Sequence, residues 1–122
     1  MNAEQAIHAF WESFNLPAYD EYSVPDDAEL PYITYSFSYD TFGGTVPMSA
    51  SVWYRSTSWL EVIAKAREIA DSIGRSGKQL HTDNGCLWIM LDNPAYQRLG
   101  GEDKDIKRIY FNVWCDYITV NN

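Results

Sequence analysis

Residues 58–74 read Ser-Trp-Leu-Glu-Val-Ile-Ala-Lys-Ala-Arg-Glu-Ile-Ala-Asp-Ser-Ile-Gly, a pattern that predicts an amphipathic α-helix. Ser58 and Glu61 have the spacing of a capping box, in which two side chains bind free N–H groups at the start of a helix. Gly74 is expected to end the helix, because the residue after the last turn usually needs a left-handed conformation. One apolar face recurs at helical spacing: Trp59, Val62, Ile63, Ala66, Ile69, Ala70 and Ile73.

Two strand-like segments precede this helix, at residues 32–39 and 46–54, and both alternate apolar with polar side chains. The stretch between them, residues 40–45, has the composition of a turn, so the two segments predict an antiparallel hairpin. Residues 2–14 carry apolar side chains at helical spacing and predict a first helix. Residues 16–31 hold three prolines and five acids, and they predict a loop that lies across the body of the protein.

Further strands follow the central helix. Residues 78–82 and 86–91 flank Asp83-Asn84-Gly85, a strong hairpin signal. Asp92-Asn93-Pro94 is expected to break the second of these strands, and residues 95–105 to form an exposed excursion before a last strand at 106–120. The order of elements predicts an α+β fold in one domain, residues 1–122: an antiparallel sheet of four to five strands with two helices packed on one face.

The composition is typical of one folded domain with a core. Of the 122 residues, 46% are hydrophobic and 16% aromatic, including 9 Tyr and 5 Trp. This surplus of Tyr and Trp suits a partner surface, although tyrosines that simply face outward from a sheet would explain it equally well. No apolar run approaches the ~20 residues of a membrane span, and no signal-peptide pattern is visible at the N-terminus. Cys86 and Cys115 sit in apolar strands and are expected to be free thiols in a reduced, cytosolic protein.

Charge is distributed unevenly along the chain. The net charge is -8, and no Lys or Arg precedes Arg55. The acids that precede Arg55 are Glu4, Glu12, Asp20, Glu21, Asp26, Asp27, Glu29 and Asp40. Because all the charged side chains of residues 1–54 are acidic, we do not expect this part of the chain to bind nucleic acid. The simpler interpretation of these acids is a solubilising surface.

A search for catalytic residues finds no convincing arrangement. His8 and His81 are the only histidines, and no nucleophile motif accompanies them. Cys86, Cys115 and His81 match no zinc-site spacing, so a structural role is expected for all three. The sequence therefore predicts no catalytic, cofactor-binding or metal-binding residues, and no enzymatic activity.

Five residues are candidates for contacts with other proteins. Phe42 lies between two predicted strands and is followed by Gly43 and Gly44, so its ring has little local core to enter. A Phe that folds back onto its own hairpin is the alternative. Trp53 and Trp114 fall on the faces of their strands that are opposite the apolar ones, where they would be available to a partner.

Several short scaffold motifs are spread along the chain. They are Leu30-Pro31-Tyr32-Ile33-Thr34-Tyr35, Val46-Pro47-Met48-Ser49-Ala50-Ser51-Val52-Trp53-Tyr54 leading into Ser56-Thr57-Ser58-Trp59, Cys86-Leu87-Trp88-Ile89, Asn93-Pro94-Ala95-Tyr96-Gln97, and Asp116-Tyr117-Ile118-Thr119-Val120-Asn121. Together they resemble the tail terminator, or tail completion, proteins of long-tailed bacteriophages, over nearly the whole chain.

The resemblance implies a structural virion protein that assembles as a hexameric ring. Such a ring caps the tail tube, stops its polymerisation and forms the interface to the head connector protein. It implies a place at the head-proximal end of the virion tail, after assembly in the host cytoplasm, with no membrane contact. A head-completion or neck protein and a non-viral protein-binding module are the alternatives.

A ring at that place must let DNA pass through its lumen without binding it. A basic lumen would hold the phosphate backbone, whereas an acidic or neutral one would let it pass. Part of the region 20–40 is therefore expected to face the channel. The alternative places the same acids on the outer rim as solubilising charge.

Overall fold

A six-stranded sheet organises the fold in the computed structural model, which describes residues 1–37, 45–101 and 103–119. In chain order the elements are α1 (Ala3–Glu12), β1 (Ala18–Asp20), β2 (Tyr32–Ser36), β3 (Thr45–Arg55), α2 (Leu60–Ile73), β4 (Lys78–Thr82), β5 (Gly85–Leu99) and β6 (Ile106–Thr119). The strand order is β1-β2-β3-β6-β5-β4. All neighbours pair antiparallel except β1 and β2, which are parallel, so the sheet is mixed.

The predicted α+β class is confirmed, but the prediction of four to five strands in a purely antiparallel sheet is wrong. The additional strand, β1, lies inside the segment predicted to be a loop. It is held by backbone bonds to β2: Ile33 N donates to Pro17 O at 2.8 Å, and Glu21 N donates to Tyr35 O at 2.9 Å. A strand of three residues is too short to show an alternating pattern, so the sequence contains no signal for it.

The predicted break at Asp92-Asn93-Pro94 is also wrong, because β5 continues through it to Leu99. The register of β5 against β6 shifts between Leu91 and Tyr96, where five positions along β5 match only two along β6, so β5 bulges there. Pro94 has no N–H to donate to a ladder, and strands accommodate proline at bulges for this reason. The Pro94 carbonyl is bound from the neighbouring strand, by the Asn112 side chain at 3.0 Å.

The central helix forms as predicted, but its capping box does not. α2 begins at Leu60, with Trp59 at the N-cap position and no side-chain cap bond. Ser58 Oγ accepts from Leu60 N at 3.1 Å instead. The first helix has the box: Asn2 Oδ1 accepts from Gln5 N, and Gln5 Oε1 accepts from Asn2 N. Gly74 ends α2 at the predicted position, but with a φ of 73° and a ψ of 174° its backbone lies outside the left-handed helical region that was expected.

Both helices pack on the same face of the sheet, as predicted. α1 contacts β1, β2 and β4, whereas α2 contacts β3, β5 and β6. The strands contribute alternate residues to this core: Ile33, Tyr35, Met48, Ala50, Val52, Leu87, Ile89, Ile109, Phe111, Val113 and Cys115. In the described part of the chain, neither helix has the length and apolarity that crossing a membrane requires. We call the other side of the sheet the outer face.

Candidate protein-interaction surface

The outer face is built by the residues that alternate with the core residues along each strand. Trp53 and Trp114, both candidates from the sequence, lie on it and are half-buried. They do not lie together, however. Trp53 pairs with Arg108 and Trp114 pairs with Pro47, so the two indoles are six positions apart along β6, or about 20 Å.

Trp53 and Arg108 form a packed pair that covers two buried polar groups. The Arg108 guanidinium lies 4.4 Å from the centroid of the Trp53 ring, which is cation–π geometry. Arg108 Nε donates to Ser51 Oγ at 2.9 Å, and Trp53 Nε1 donates to Thr34 Oγ1 at 2.9 Å. Ser51 and Thr34 are only 1% and 7% exposed, so the pair satisfies hydroxyl groups that it shields from water.

A hollow of about 270 Å³ opens beside this pair, at the end of the sheet where β5 turns into β6. It is lined by Trp53, Leu99, Ile106 and Arg108, together with Gly100, Gly101 and Asp103. We call it the hairpin-end hollow. Its volume equals that of about nine waters of liquid, taking about 30 Å³ for each. Apolar walls with one guanidinium and one carboxylate suit a side chain that is itself apolar with a polar end.

Basic residues surround this end of the sheet. Arg98 and Lys107 lie 5.2 and 5.5 Å from the centroid of the Trp59 ring, on the helix side of the hairpin. Arg55 ends β3, and its guanidinium is 4.0 Å from the Asp103 carboxylate. We define the basic patch as five of the nine Lys and Arg residues of the chain: Arg55, Arg98, Lys104, Lys107 and Arg108.

The loop that joins β1 to β2 carries the opposite charge. We define the acidic arm as residues 20–31, which contain five acids and no Lys or Arg. Its first turn is well defined: Ser23 N donates to Asp20 O at 2.9 Å, and Tyr22 N donates to Asp20 Oδ1 at 2.9 Å. Tyr22 stands out from this turn with 86% of its surface exposed.

Sequence reasoning did not single out Tyr22 or the basic patch. The signal for Tyr22 was an aromatic residue next to acids in a loop with prolines. For the patch, the signal was partial: Lys104, Lys107 and Arg108 are close in sequence, but Arg55 and Arg98 join them only through the strand register. Phe42, Gly43 and Gly44, the other candidates, lie outside the described residues, and their contact role stays a prediction.

The groups that could carry chemistry are dispersed. His81 and Cys86 are register partners on β4 and β5, while Cys115 lies in the core on the helix side. Burial, together with the nearby Asp116 charge, raises the pKa of the Cys115 thiol to about 12. His8 sits between the Tyr35 hydroxyl, 2.9 Å from Nδ1, and Glu12, 3.2 Å from Nε2. Across residues 1–37, 45–101 and 103–119, no three His, Cys, Asp or Glu residues are grouped to hold a metal ion.

Comparison with known proteins gives a likeness of fold. No family model matches the sequence, and no curated protein matches it. Among solved structures, the chain is similar to one from the virion of a native gene transfer agent particle, with a TM-score of 0.65 and 16% sequence identity. The match covers 94% of this chain and 93% of the other. At this identity it shows that the two chains share their fold over nearly their full lengths.

Proposed function

We propose that this chain is a structural protein of a phage-like virion and that it caps the tail tube as a ring. The observation that carries the proposal is the likeness to a virion chain, which spans nearly all of both proteins. The resemblance of the scaffold motifs to tail terminators supports the same conclusion. The ring would stop tube polymerisation and offer a surface to the head connector protein, so the work is mechanical and needs no catalytic group.

The surfaces described above suit such a role. A capping ring needs at least two kinds of contact, between its own copies and with the tube end. Half-buried Trp and Arg residues on a rigid sheet are the residue types that dominate protein contacts. The Trp53–Arg108 pair and Trp114 lie at two separate places on the outer face, which would allow two partners to be held at once.

Tail length is the measurement that tests the terminator role most directly. We expect a phage whose gene for this chain is inactivated to make tail tubes of uncontrolled length. Negative-stain images of purified protein mixed with tail tubes should show a ring at one tube end. A plasmid copy of the wild-type gene should restore the normal length and serves as the control.

Other outcomes would replace the terminator role. Tails of normal length that fail to join DNA-filled heads, with rings on the heads, would indicate a head-completion or neck protein. Normal, infectious particles would indicate that the chain acts outside the virion, as a protein-binding module does. Either result would contradict the proposal.

A further inference from the structure

We propose that copies of this chain join head to tail, with Tyr22 of one copy seated in the hairpin-end hollow of the next. The acids around Tyr22 would then face the basic patch of that neighbour. The inference rests on the proposed ring and names the two surfaces that close it.

Tyr22 has the properties of an anchor residue. It is a large aromatic side chain at 86% exposure, whereas the other Phe, Tyr and Trp rings within residues 1–37, 45–101 and 103–118 are buried or half-buried. The turn that carries it is fixed by two hydrogen bonds to Asp20, so little conformational freedom is lost when the ring is buried. Buried Tyr residues at the centre of an interface carry much of the binding energy.

The hairpin-end hollow has the complementary shape and chemistry. It has room for an aromatic ring, and Trp53, Leu99 and Ile106 supply apolar walls. Arg108 is held in place by its contacts with Trp53 and Ser51, so the cavity is preformed. A guanidinium at the wall can donate to a phenolic oxygen or a carboxylate.

Charge favours a second copy as the occupant. The acidic arm has five acids and no base, whereas the basic patch has five bases against the three acids Glu102, Asp103 and Asp105 that neighbour them in sequence, one of which, Asp103, pairs with Arg55. Within residues 1–37, 45–101 and 103–119, no ion pair joins the arm to the patch, so neither neutralises the other in the same chain. Opposite charges on two separate surfaces of one chain steer its copies together.

The placement of the two surfaces predicts a ring and not a simple dimer. The arm extends from β1, an edge strand of the sheet, whereas the hollow is built on β3, β5 and β6. A contact between two different surfaces is heterologous, and such contacts close into rings or run on as filaments. This arrangement puts the arm between subunits instead of along the channel.

Charge reversal tests the contact in a way that loss of folding cannot imitate. One variant carries Asp26→Lys, Asp27→Lys and Glu29→Lys in the arm. The other carries Arg55→Glu, Arg98→Glu and Lys104→Glu in the patch. We expect wild-type protein to sediment as a ring at low salt, and each variant alone as a monomer. Mixing the two variants should restore rings, because each reversed surface then meets its complement.

Tyr22→Ser tests the anchor. It should lose the ring species, while Tyr22→Phe keeps it. At high salt, where the wild-type ring is dissociated, both variants should melt at the wild-type temperature because residue 22 is exposed in the single chain. Arg67→Glu, on the exposed side of α2, is the control for charge reversal and should assemble normally. Raising the salt should dissociate the wild-type ring, since exposed charges are screened beyond about 10 Å at 0.1 M.

Several results would overturn the inference. In the charge-reversal experiment, the contradicting results are a mixture of the two variants that stays monomeric and single variants that assemble as well as wild type. In the anchor experiment, the contradicting result is a Tyr22→Ser protein that still forms rings. A wild-type protein that stays monomeric at low salt would overturn it too. If such a protein still controls tail length in the phage, the proposed function stands and only the assigned contact falls.

Discussion

The indole of Trp88 lies directly against Gly77. A Cβ added at Gly77 would fall 2.8 Å from the ring atom Cδ1 and 2.6 Å from the Ile89 carbonyl oxygen. The indole is fixed there because Trp88 Nε1 donates to the Ser76 carbonyl at 2.9 Å. Gly77 also has a φ of +86°, which side-chain-bearing residues rarely adopt.

Gly77→Ala is therefore expected to destabilise the protein. The left-handed backbone alone costs about 1–3 kcal/mol for a residue with a side chain, and the overlap with the Trp88 ring adds to this. Gly100→Ala is the matched control, because a methyl group there would meet no atom within 4 Å. Urea unfolding of both variants measures the difference, and equal losses would contradict the assignment.

The two helix starts should respond differently to the loss of a cap. Asn2→Ala removes the acceptor for Gln5 N, a bond of 2.8 Å, and should cost about 1 kcal/mol. Ser58→Ala removes only a 3.1 Å bond to Leu60 N outside a capping box, so its cost should be smaller. Thermal melts that rank Ser58→Ala as the more damaging change would show that α2 is capped in solution as the sequence predicts.

The Trp53–Arg108 contact should be measurable as a coupling energy. A double-mutant cycle with Trp53→Leu and Arg108→Leu is expected to give about 0.5–1 kcal/mol, the usual range for a cation–π pair at an exposed site. The same cycle between Trp53 and Arg67, which lies on α2 across the sheet, should give a coupling near zero. A value near zero for both pairs would mean that the stacking contributes nothing to stability.

Burial of Cys115 predicts a loss of stability at alkaline pH. Its pKa is about 12 in the fold against an ordinary 9.0, so between these values the folded chain holds a proton that the unfolded chain releases. Stability then falls as pH rises through this window. Unfolding free energies of wild type and Cys115→Ala, measured from pH 8 to 11, should show the steeper fall for wild type. Parallel curves would contradict the shifted pKa.

The isolated protein is expected not to retain DNA. With a net charge of -8, it repels the phosphate backbone, and the acidic arm adds local repulsion. Gel shifts with double-stranded DNA at low salt should therefore show free DNA. Tight retardation that disappears as salt rises would identify the basic patch as a phosphate site, with Lys104→Glu as the variant that should abolish it.

The spacing of apolar residues predicts those helices and strands that are long enough to show a full period. The apolar face of α2 and the alternation of β3 could be predicted from spacing alone, because helix and strand periods place those side chains in the core. β1 could not be predicted, since three residues have no period and the pairing depends on Ile33 being nearby in space. The predicted β5 ends at Leu91, because proline normally breaks a strand. A bulge allows the strand to continue past Pro94, and no residue pattern marks a bulge.

The candidate surface could not be predicted for the same reason, because it needs β5 to continue past Leu91. A strand that stopped at Leu91 would leave Arg98 and Leu99 in a loop, away from Trp53. Only the register of β3, β6 and the extended β5 brings Trp53, Arg108 and Leu99 around one hollow. Trp53 and Trp114 could be assigned to the outer face, but their separation along β6 could not be seen in the sequence.

The central position of β6 has a consequence for synthesis. β6 pairs with β3 on one side and β5 on the other, and its partners in β3 precede it by a long interval: Arg55 pairs with Ile106, and Thr45 with Asp116. Strands that are so far apart in sequence pair slowly, because the chain loses conformational entropy before the first hydrogen bonds between them form. On the ribosome, β3 and β5 each keep an open edge until β6 emerges, so the nascent chain is exposed to aggregation until β6 is translated.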